Sequence, residues 1–324
     1  MAKNKGALML GILGGVLAVV TIIPGLILLW RLVIRKKLWP SQPKKYQNKA
    51  KNSYAIITGA AGGIGRSFAE RFAKEGYNVI IMDRAAEALA QVAQNIKDKY
   101  KVEVVESVCD FIAMDKNDEW NKIEQLIEGK DIAVLVNNVG LCNYLPDKFG
   151  DLSVRDINNM ISLNIRTLLM MTHICIPVML KREEKSLIVN MSSSTSGYPH
   201  PMIQVYSSTK AFVRQFTDSI HAEYKGKIDV IAYCPWYIKT DMTMIKETAI
   251  YALTPADFVD CAFEYFGQTN HVNPFWFHML MDIGTSAIPE PIFSKNVIST
   301  QSFVRYRLSL KLKNNQQAQE KKNN

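Results

Sequence analysis

The sequence predicts an α/β fold, a doubly wound parallel sheet in a single domain, preceded by an N-terminal transmembrane helix. Three observations support this prediction. Over residues 51–230, short apolar runs alternate with longer helical patterns, which is typical of βαβ units. The first run leads directly into a glycine-rich turn. Residues 7–30 carry no charge, and at about 1.5 Å per residue they can cross the roughly 30 Å hydrocarbon core of a bilayer.

Strands and helices are expected to follow one another in regular order. The predicted strands are residues 54–57, 78–82, 101–108, 132–136, 186–191 and 227–233. The predicted helices are residues 64–75, 85–100, 119–128, 154–179 and 205–224. Crossover helices cover both faces of a parallel sheet, so these strands should be buried on both sides. The domain is assigned to residues 51–300, and its less regular part, residues 235–300, is the predicted substrate region.

The apolar run at residues 7–30 is predicted to be an uncleaved anchor that follows a short N-terminal tail, residues 1–6. It exceeds the 7–15 residues or so of a signal peptide, and it ends at Trp30 without a small-residue cleavage site. Only Lys3 and Lys5 precede it, whereas a basic juxtamembrane linker, residues 31–50, follows it. Because excess positive charge marks the cytoplasmic side, the domain is expected to face the cytoplasm.

The net charge of +9 does not require a nucleic-acid partner. The basic residues gather in the linker and in the C-terminal tail, residues 301–324, where anionic headgroups attract them. The five cysteines are odd in number and widely spaced, which indicates reduced thiols in a reducing compartment. The five histidines lack metal-ligand spacing, so no metal site is predicted.

The glycine-rich turn and the end of the second strand predict a Rossmann-type nucleotide site. Glycines allow a tight turn in which backbone N–H groups and the positive end of a helix approach a pyrophosphate. The candidate cofactor-binding residues of this turn are Thr58, Gly59, Gly63, Ile64 and Gly65. Asp83 can accept hydrogen bonds from ribose hydroxyls and would repel a 2′-phosphate, which favours NAD(H). Arg84 can pair with that phosphate, so NADP(H) stays an alternative.

The spacing Thr-Gly-x-x-x-Gly-x-Gly resembles that of the short-chain dehydrogenase/reductase family. That resemblance implies cofactor contacts for Asn137 and Gly140, since Asn-Asn-Val-Gly stands where the family has Asn-Asn-Ala-Gly. Asp110 stands where the family has an Asp that contacts adenine. Pro235 and Thr240 keep the family's Pro-x-x-x-x-Thr pattern, which implies that Thr240 contacts the nicotinamide carboxamide, although Trp236 replaces the usual Gly.

Four residues form the candidate catalytic set: Asn164, Ser193, Tyr206 and Lys210. Tyr206 and Lys210 are four residues apart, so they share a helix face, and the ammonium is expected to pull the pKa of the phenol from about 10 toward the operating pH. Tyr206 would then protonate a carbonyl oxygen while Ser193 hydrogen-bonds it. The family resemblance implies that Lys210 also holds the nicotinamide ribose, and that Asn164 anchors a water for proton relay.

Other features resemble a membrane-anchored subgroup that contains very-long-chain 3-ketoacyl-CoA reductase and 17β-hydroxysteroid dehydrogenase type twelve. They include the N-terminal span, the Pro-aromatic pair at residues 235–236, and Lys321-Lys322 near the C-terminus, which resembles a dilysine endoplasmic reticulum retrieval signal. The resemblance implies an oxidoreductase of the endoplasmic reticulum membrane that reduces 3-ketoacyl-CoA with NADPH in fatty-acid elongation. The resemblance also favours a homodimer, and further partners in a fatty-acid elongation complex stay possible.

Two alternative functions stay open, and so does the place of one apolar stretch. A hydroxysteroid or retinol-type alcohol dehydrogenase would use the same fold, and Asp83 suits its NAD(H). A non-catalytic membrane or lipid-surface scaffold belongs to another functional class, although scaffolding needs none of the four candidate catalytic residues. The apolar stretch of residues 274–292 is either a lipid-accepting mouth on the bilayer or part of the core.

Overall fold

A parallel sheet of seven strands runs through the described part of the protein in the computed structural model. The structure describes residues 11, 14–15, 22, 25–26, 29–38, 40–48, 52–114, 117–143, 145–243, 245 and 247–323. The strands are β1 (Ser53–Thr58), β2 (Asn78–Asp83), β3 (Val104–Val108), β4 (Asp131–Asn137), β5 (Ser186–Met191), β6 (Ile228–Tyr233), β7 (Tyr237–Ile238), β8 (Ala252–Leu253) and β9 (His271–Val272). The order across the large sheet is β3-β2-β1-β4-β5-β6-β9, and β7 pairs separately with β8.

Helices lie between and after these strands. They are α1 (Gly63–Lys74), α2 (Ala86–Tyr100), α3 (Asn117–Ile127), α4 (Val154–Ile161), α5 (Thr167–Leu180), α6 (Gln204–Glu223), α7 (Pro255–Phe263), α8 (Trp276–Ser286) and α9 (Glu290–Asn323). A π-helical turn, Ser162–Arg166, joins α4 to α5. The fold predicted from the sequence, a doubly wound parallel sheet, is confirmed.

The two faces of the sheet bury separate hydrophobic cores. Along β1, Ala55 and Ile57 pack into the core that contains Phe72. Ile56 points the other way, into the core that contains Met171. Successive side chains of a strand face opposite sides, so a strand covered on both faces must be apolar throughout. This explains why the strand segments of the sequence are continuous apolar runs.

The chain crosses from one half of the sheet to the other between β1 and β4. From β1 the sheet extends through β2 and β3 on one side, and through β4, β5 and β6 on the other. The crevice at the carboxyl ends of β1 and β4 is therefore a topological switch point, where ligands bind in open α/β sheets. The glycine-rich turn that follows β1 lies at this point.

Boundaries differ from expectation at two places in the middle of the chain. The third strand begins at Val104 rather than at residue 101, because Lys101 has a left-handed φ of 57° and ends α2. The predicted helix over residues 154–179 is interrupted by the π-helical turn. The stretch Val154–Leu180 is the one candidate membrane span among the described residues, and half of its most apolar window is buried. Met171 and Cys175 pack in the core, so it is a core helix.

Parts of the predicted N-terminal and C-terminal segments belong to the folded structure. The predicted anchor, residues 7–30, lies mostly outside the described residues. The predicted juxtamembrane linker ends in a folded segment, because Tyr46 is fully buried and its hydroxyl donates to Asp229 Oδ2 at 2.8 Å. The predicted C-terminal tail, residues 301–324, is part of α9, which continues to Asn323.

The segment of residues 235–300 divides into two parts. Phe258 and Phe263 of α7 belong to the core under the sheet, and β9 extends the sheet beyond β6. Among the described residues of this segment, those that line the central cavity come from its beginning, Pro235 to Thr243. The predicted substrate region therefore also completes the fold.

Candidate active site

A cavity of about 360 Å³ lies at the carboxyl ends of the central strands. Its lining includes Asp83 and Asp110, which follow β2 and β3, and Tyr206 and Lys210 of α6. A cleft of this size at the switch point of a parallel sheet is the expected place for a cofactor and a substrate.

The glycine-rich turn forms one wall of this cavity through its backbone. Gly59 and Gly63 have left-handed φ values of 69° and 55°, which favour glycine. A Cβ at Gly65 would overlap the carbonyl oxygen of Gly59, so α1 starts directly against the turn. The wall is thus made of backbone atoms and exposes N–H groups, as a pyrophosphate site requires.

Three predicted cofactor residues lie behind the cavity wall rather than in it: Thr58, Gly65 and Asn137. The Thr58 hydroxyl accepts hydrogen bonds from the backbone N–H groups of Asn138 and Val139, at 3.0 and 3.1 Å. Asn137 is buried, and its Nδ2 donates to Asn190 Oδ1 at 2.9 Å. These residues support the wall from behind through their hydrogen bonds.

Asn138 lines the cavity in place of Asn137, and the sequence reasoning passed over it. Its Nδ2 donates to the carbonyl oxygens of Thr58 and Gly59 at 2.9 and 3.1 Å, which fixes the start of the turn. Consecutive side chains on an extended chain face opposite sides, so only one of the two asparagines can face the cavity. This alternation is the sequence signal that could have identified Asn138 as a second candidate for the cavity.

Charged residues line the cavity beyond β2 and β3. Asp83 Oδ2 accepts from the N–H of Ala61 in the glycine-rich turn, and Asp83 Oδ1 accepts from the N–H of Ala85, each at 3.1 Å. Arg84 is exposed, and Asp110 Oδ1 accepts from the N–H of Ile112 at 3.0 Å. The two backbone N–H groups partly satisfy the Asp83 carboxylate, while the Arg84 cation faces solvent.

Ser193, Tyr206 and Lys210 meet in the cavity. Lys210 Nζ donates to the carbonyl oxygen of Met191 at 2.8 Å and lies 5.6 Å from the centre of the Tyr206 ring. Ser193 lies just beyond β5, and its side chain hydrogen-bonds that of Tyr206. A Cβ at Gly140 would lie 3.3 Å from Lys210 Nζ, so Gly140 leaves room for the lysine.

The pKa of Tyr206 departs from the expectation that the ammonium would lower it. Burial raises the pKa of the phenol, and the hydrogen bond with Ser193 lowers it to a smaller extent. Burial also lowers the pKa of Lys210 to about 8. At neutral pH the phenol is therefore protonated and the lysine largely charged, which suits donation of a proton to a carbonyl oxygen.

Asn164 lies in the π-helical turn and ties three elements together. Its Oδ1 accepts from the N–H of Leu141 at 2.7 Å. Its Nδ2 donates to Leu141 O at 2.8 Å and to Thr209 Oγ1 at 2.9 Å. Both amide protons are thus used within the protein, and one lone pair of Oδ1 remains for the water that the family resemblance implies.

The segment after β6 is anchored by Trp236, the residue that departs from the family pattern. Its indole Nε1 donates to Asp282 Oδ1 of α8 at 2.7 Å. The Tyr198 hydroxyl donates to the carbonyl oxygen of Asp282 at 2.8 Å. Pro235, Trp236 and Thr240 all line the cavity. An indole therefore holds α8 beside the site where the family has glycine.

Comparisons with known sequences agree with this geometry. The sequence model of the family described as short chain dehydrogenase matches residues 53–250. The very-long-chain 3-oxoacyl-CoA reductase of Homo sapiens is 34% identical over 265 residues, which cover 81% of this chain and 84% of the relative. The enzyme of the same name from Anas platyrhynchos is 36% identical over 258 residues, which cover 79% of this chain and 82% of the relative.

Solved structures give the same picture of the fold. A short-chain dehydrogenase from Sphingobium yanoikuyae in complex with NADPH has a TM-score of 0.59 and 25% identity, covering 66% of this chain and 84% of the other. A 3-ketoacyl-(acyl-carrier-protein) reductase from Brucella melitensis complexed with NADH has a TM-score of 0.60 and 25% identity, covering 69% and 95%. One neighbour thus carries NADPH and the other NADH.

Proposed function

The chain belongs to the short-chain dehydrogenase/reductase family and is an oxidoreductase with a nicotinamide cofactor, and from this premise we propose that it reduces the 3-oxo group of very-long-chain acyl-CoA in fatty-acid elongation. One observation carries the proposal. A cavity that contains Ser193, Tyr206 and Lys210 lies in a chain whose likeness to very-long-chain 3-oxoacyl-CoA reductases spans about four fifths of both proteins.

The proposed chemistry divides the work between cofactor and chain. The cofactor supplies the hydride for the carbonyl carbon when it is bound. Tyr206 donates its phenolic proton to the 3-oxo oxygen, and the Ser193 hydroxyl donates a hydrogen bond to the same oxygen. Lys210 stabilises the phenolate that remains, since its ammonium lies 5.6 Å from the ring centre.

The residues around the glycine-rich turn suit a dinucleotide. Backbone N–H groups and the start of α1 would hold its pyrophosphate, and Asp110 would face the adenine. Lys210 would hold the nicotinamide ribose, with Thr240 beside the nicotinamide. We assign NADPH as the cofactor, because two backbone N–H groups partly satisfy Asp83 while the exposed Arg84 cation is the group suited to a 2′-phosphate.

Replacing Arg84 by Ala is expected to raise KM for NADPH roughly 10-fold or more and to leave KM for NADH nearly unchanged, because a charge-assisted hydrogen bond contributes about 1.5–3 kcal/mol. Initial rates with each cofactor at a fixed concentration of substrate measure this. Arg66→Ala is the matched control, since Arg66 is a cation of α1 that pairs with Glu70 and does not line the cavity. A rise of equal size for both cofactors would contradict the assignment of Arg84.

The proposed location is the endoplasmic reticulum membrane, with the catalytic domain facing the cytoplasm. The uncharged run of residues 7–30 supports an anchor, and the basic residues that follow it support the orientation. An acyl-CoA substrate made for elongation would then be reached from the cytoplasmic side.

The full-length protein in detergent should oxidise NADPH rapidly when a long-chain 3-oxoacyl-CoA is added. The loss of reduced-nicotinamide absorbance and the appearance of the 3-hydroxyacyl-CoA measure the reaction together. Steroids and retinol with NAD are the comparison substrates. Turnover of those alcohols without reduction of the 3-oxoacyl-CoA would replace the proposed function by an alcohol dehydrogenase activity.

A further inference from the structure

The long helix α9 exposes a line of large apolar side chains. Ile292, Phe303, Tyr306 and Leu310 are 55%, 61%, 60% and 39% exposed. At 100° per residue these positions fall within about 60° of one another around the helix axis, so they form one face. The face is about 27 Å long, since 18 residues at about 1.5 Å separate its ends. Exposed apolar faces of this extent mark interaction sites.

The orientation of this face is fixed, because other sides of α9 are packed on the domain. The Phe293 ring lies 5.6 Å from the Tyr198 ring and 5.5 Å from the His200 ring, measured between centres. Further along α9, Arg305 Nη1 donates to the carbonyl oxygen of Pro146 at 2.9 Å and pairs with Asp147. The exposed face therefore points away from the protein.

The same helix is connected to the candidate active site. Tyr198, against which Phe293 packs, donates to the carbonyl oxygen of Asp282. Asp282 in turn accepts from Trp236, which lines the cavity. On α8, Trp276 and Leu280 are also exposed, at 38% and 39%. The helix that packs beside the site thus also exposes large apolar side chains.

The charges of α9 favour an anionic surface as its occupant. Its sequence contains seven basic and two acidic residues. Lys295 and Arg307 are exposed and lie on opposite sides of the apolar face, about 60° from its centre. Two copies of the chain packed through this face would bring these like charges together, which is unfavourable. Lysine and arginine flanking an apolar face are typical of helices that lie in the headgroup region of a bilayer.

We propose that α9 lies on the surface of an anionic bilayer through the face formed by Ile292, Phe303, Tyr306 and Leu310. This face is a membrane contact separate from the N-terminal anchor. It holds the domain with α8 and the substrate side of the cavity at the bilayer surface. The contact does not depend on which carbonyl substrate the site reduces.

Photo-crosslinking of the full chain in lipid vesicles tests this contact directly. Phe303 is replaced by p-benzoylphenylalanine, and the protein is reconstituted in vesicles of phosphatidylcholine with phosphatidylserine. Val108 is the matched control position, because it is 59% exposed and lies at the end of β3, the edge strand opposite β9. Mass spectrometry should find roughly 10-fold more lipid adduct at position 303 than at position 108, and less adduct at position 303 when phosphatidylserine is omitted.

Two outcomes would overturn the proposal. Equal yields of lipid adduct at positions 303 and 108 would show that the face does not meet the bilayer. Crosslinked dimers in place of lipid adducts at position 303 would assign the face to a second copy of the chain. If the protein with the photoreactive residue at position 303 fails to fold, Tyr306 is the second test position, because it is 60% exposed on the same face.

Discussion

Replacing Tyr206 by Phe is expected to lower kcat by a factor of about 10² to 10⁴, because the variant keeps the ring and loses the proton donor. The hydroxyl is the group that meets Ser193 in the cavity, while the ring beside Lys210 Nζ stays in place. Cofactor affinity should change little. Initial rates of NADPH oxidation with a long-chain 3-oxoacyl-CoA measure kcat, and fluorescence titration of the reduced cofactor measures its affinity.

Tyr224→Phe is the matched control for this experiment. Tyr224 follows the other end of α6 and packs partly buried against the core on one face of the sheet, away from the cavity. It should keep kcat nearly unchanged, because its hydroxyl touches no reacting group. Full activity in Tyr206→Phe would remove the assigned proton donor. Equal losses in both variants would point to a general effect on α6 instead of a loss of proton transfer.

The sequence predicted the members of the site better than their environment. The four-residue spacing of Tyr206 and Lys210 is sufficient to place both on one helix face, so their meeting could be foreseen. The direction of the shift in the pKa of Tyr206 could not be predicted, because burial raises this pKa and the spacing of residues does not reveal burial. The resemblance named Asn137, and alternation along the chain shows only that one of the two asparagines faces the cavity. Packing decides which of them it is.

The sequence also predicted the order of the sheet elements better than the ends of the chain. Strands such as β1 can be recognised in the sequence as continuous apolar runs, because they are buried on both faces. The segment around Tyr46 gave no such signal, since one buried tyrosine among lysines has no periodicity. Its place depends on partners such as Asp229 and Arg182, which follow it by more than 130 residues.

Arg182→Met is expected to lower the free energy of unfolding by about 3–5 kcal/mol, the largest stability effect that we predict. The Arg182 side chain is only 4% exposed, and its Nε donates to Asp131 Oδ1 at 2.7 Å. Its Nη2 also donates to the carbonyl oxygen of Tyr46 at 2.7 Å, and its Nη1 donates to Ser186 Oγ at 3.1 Å. Removal of the guanidinium leaves the Asp131 carboxylate without its buried cationic partner, which is the costly part of the change.

Lys185→Met is the control for Arg182→Met, because it removes a positive charge from the same loop between α5 and β5. Lys185 pairs with Asp229 at 3.1 Å, but its side chain is 45% exposed, so its loss should cost no more than about 1 kcal/mol. Denaturant unfolding of both variants in detergent, followed by tryptophan fluorescence, measures the difference. Equal and small losses would contradict the structural role of Arg182. A large loss for Arg182→Met alone is expected, since this residue joins the starts of β4 and β5 to the segment that precedes β1.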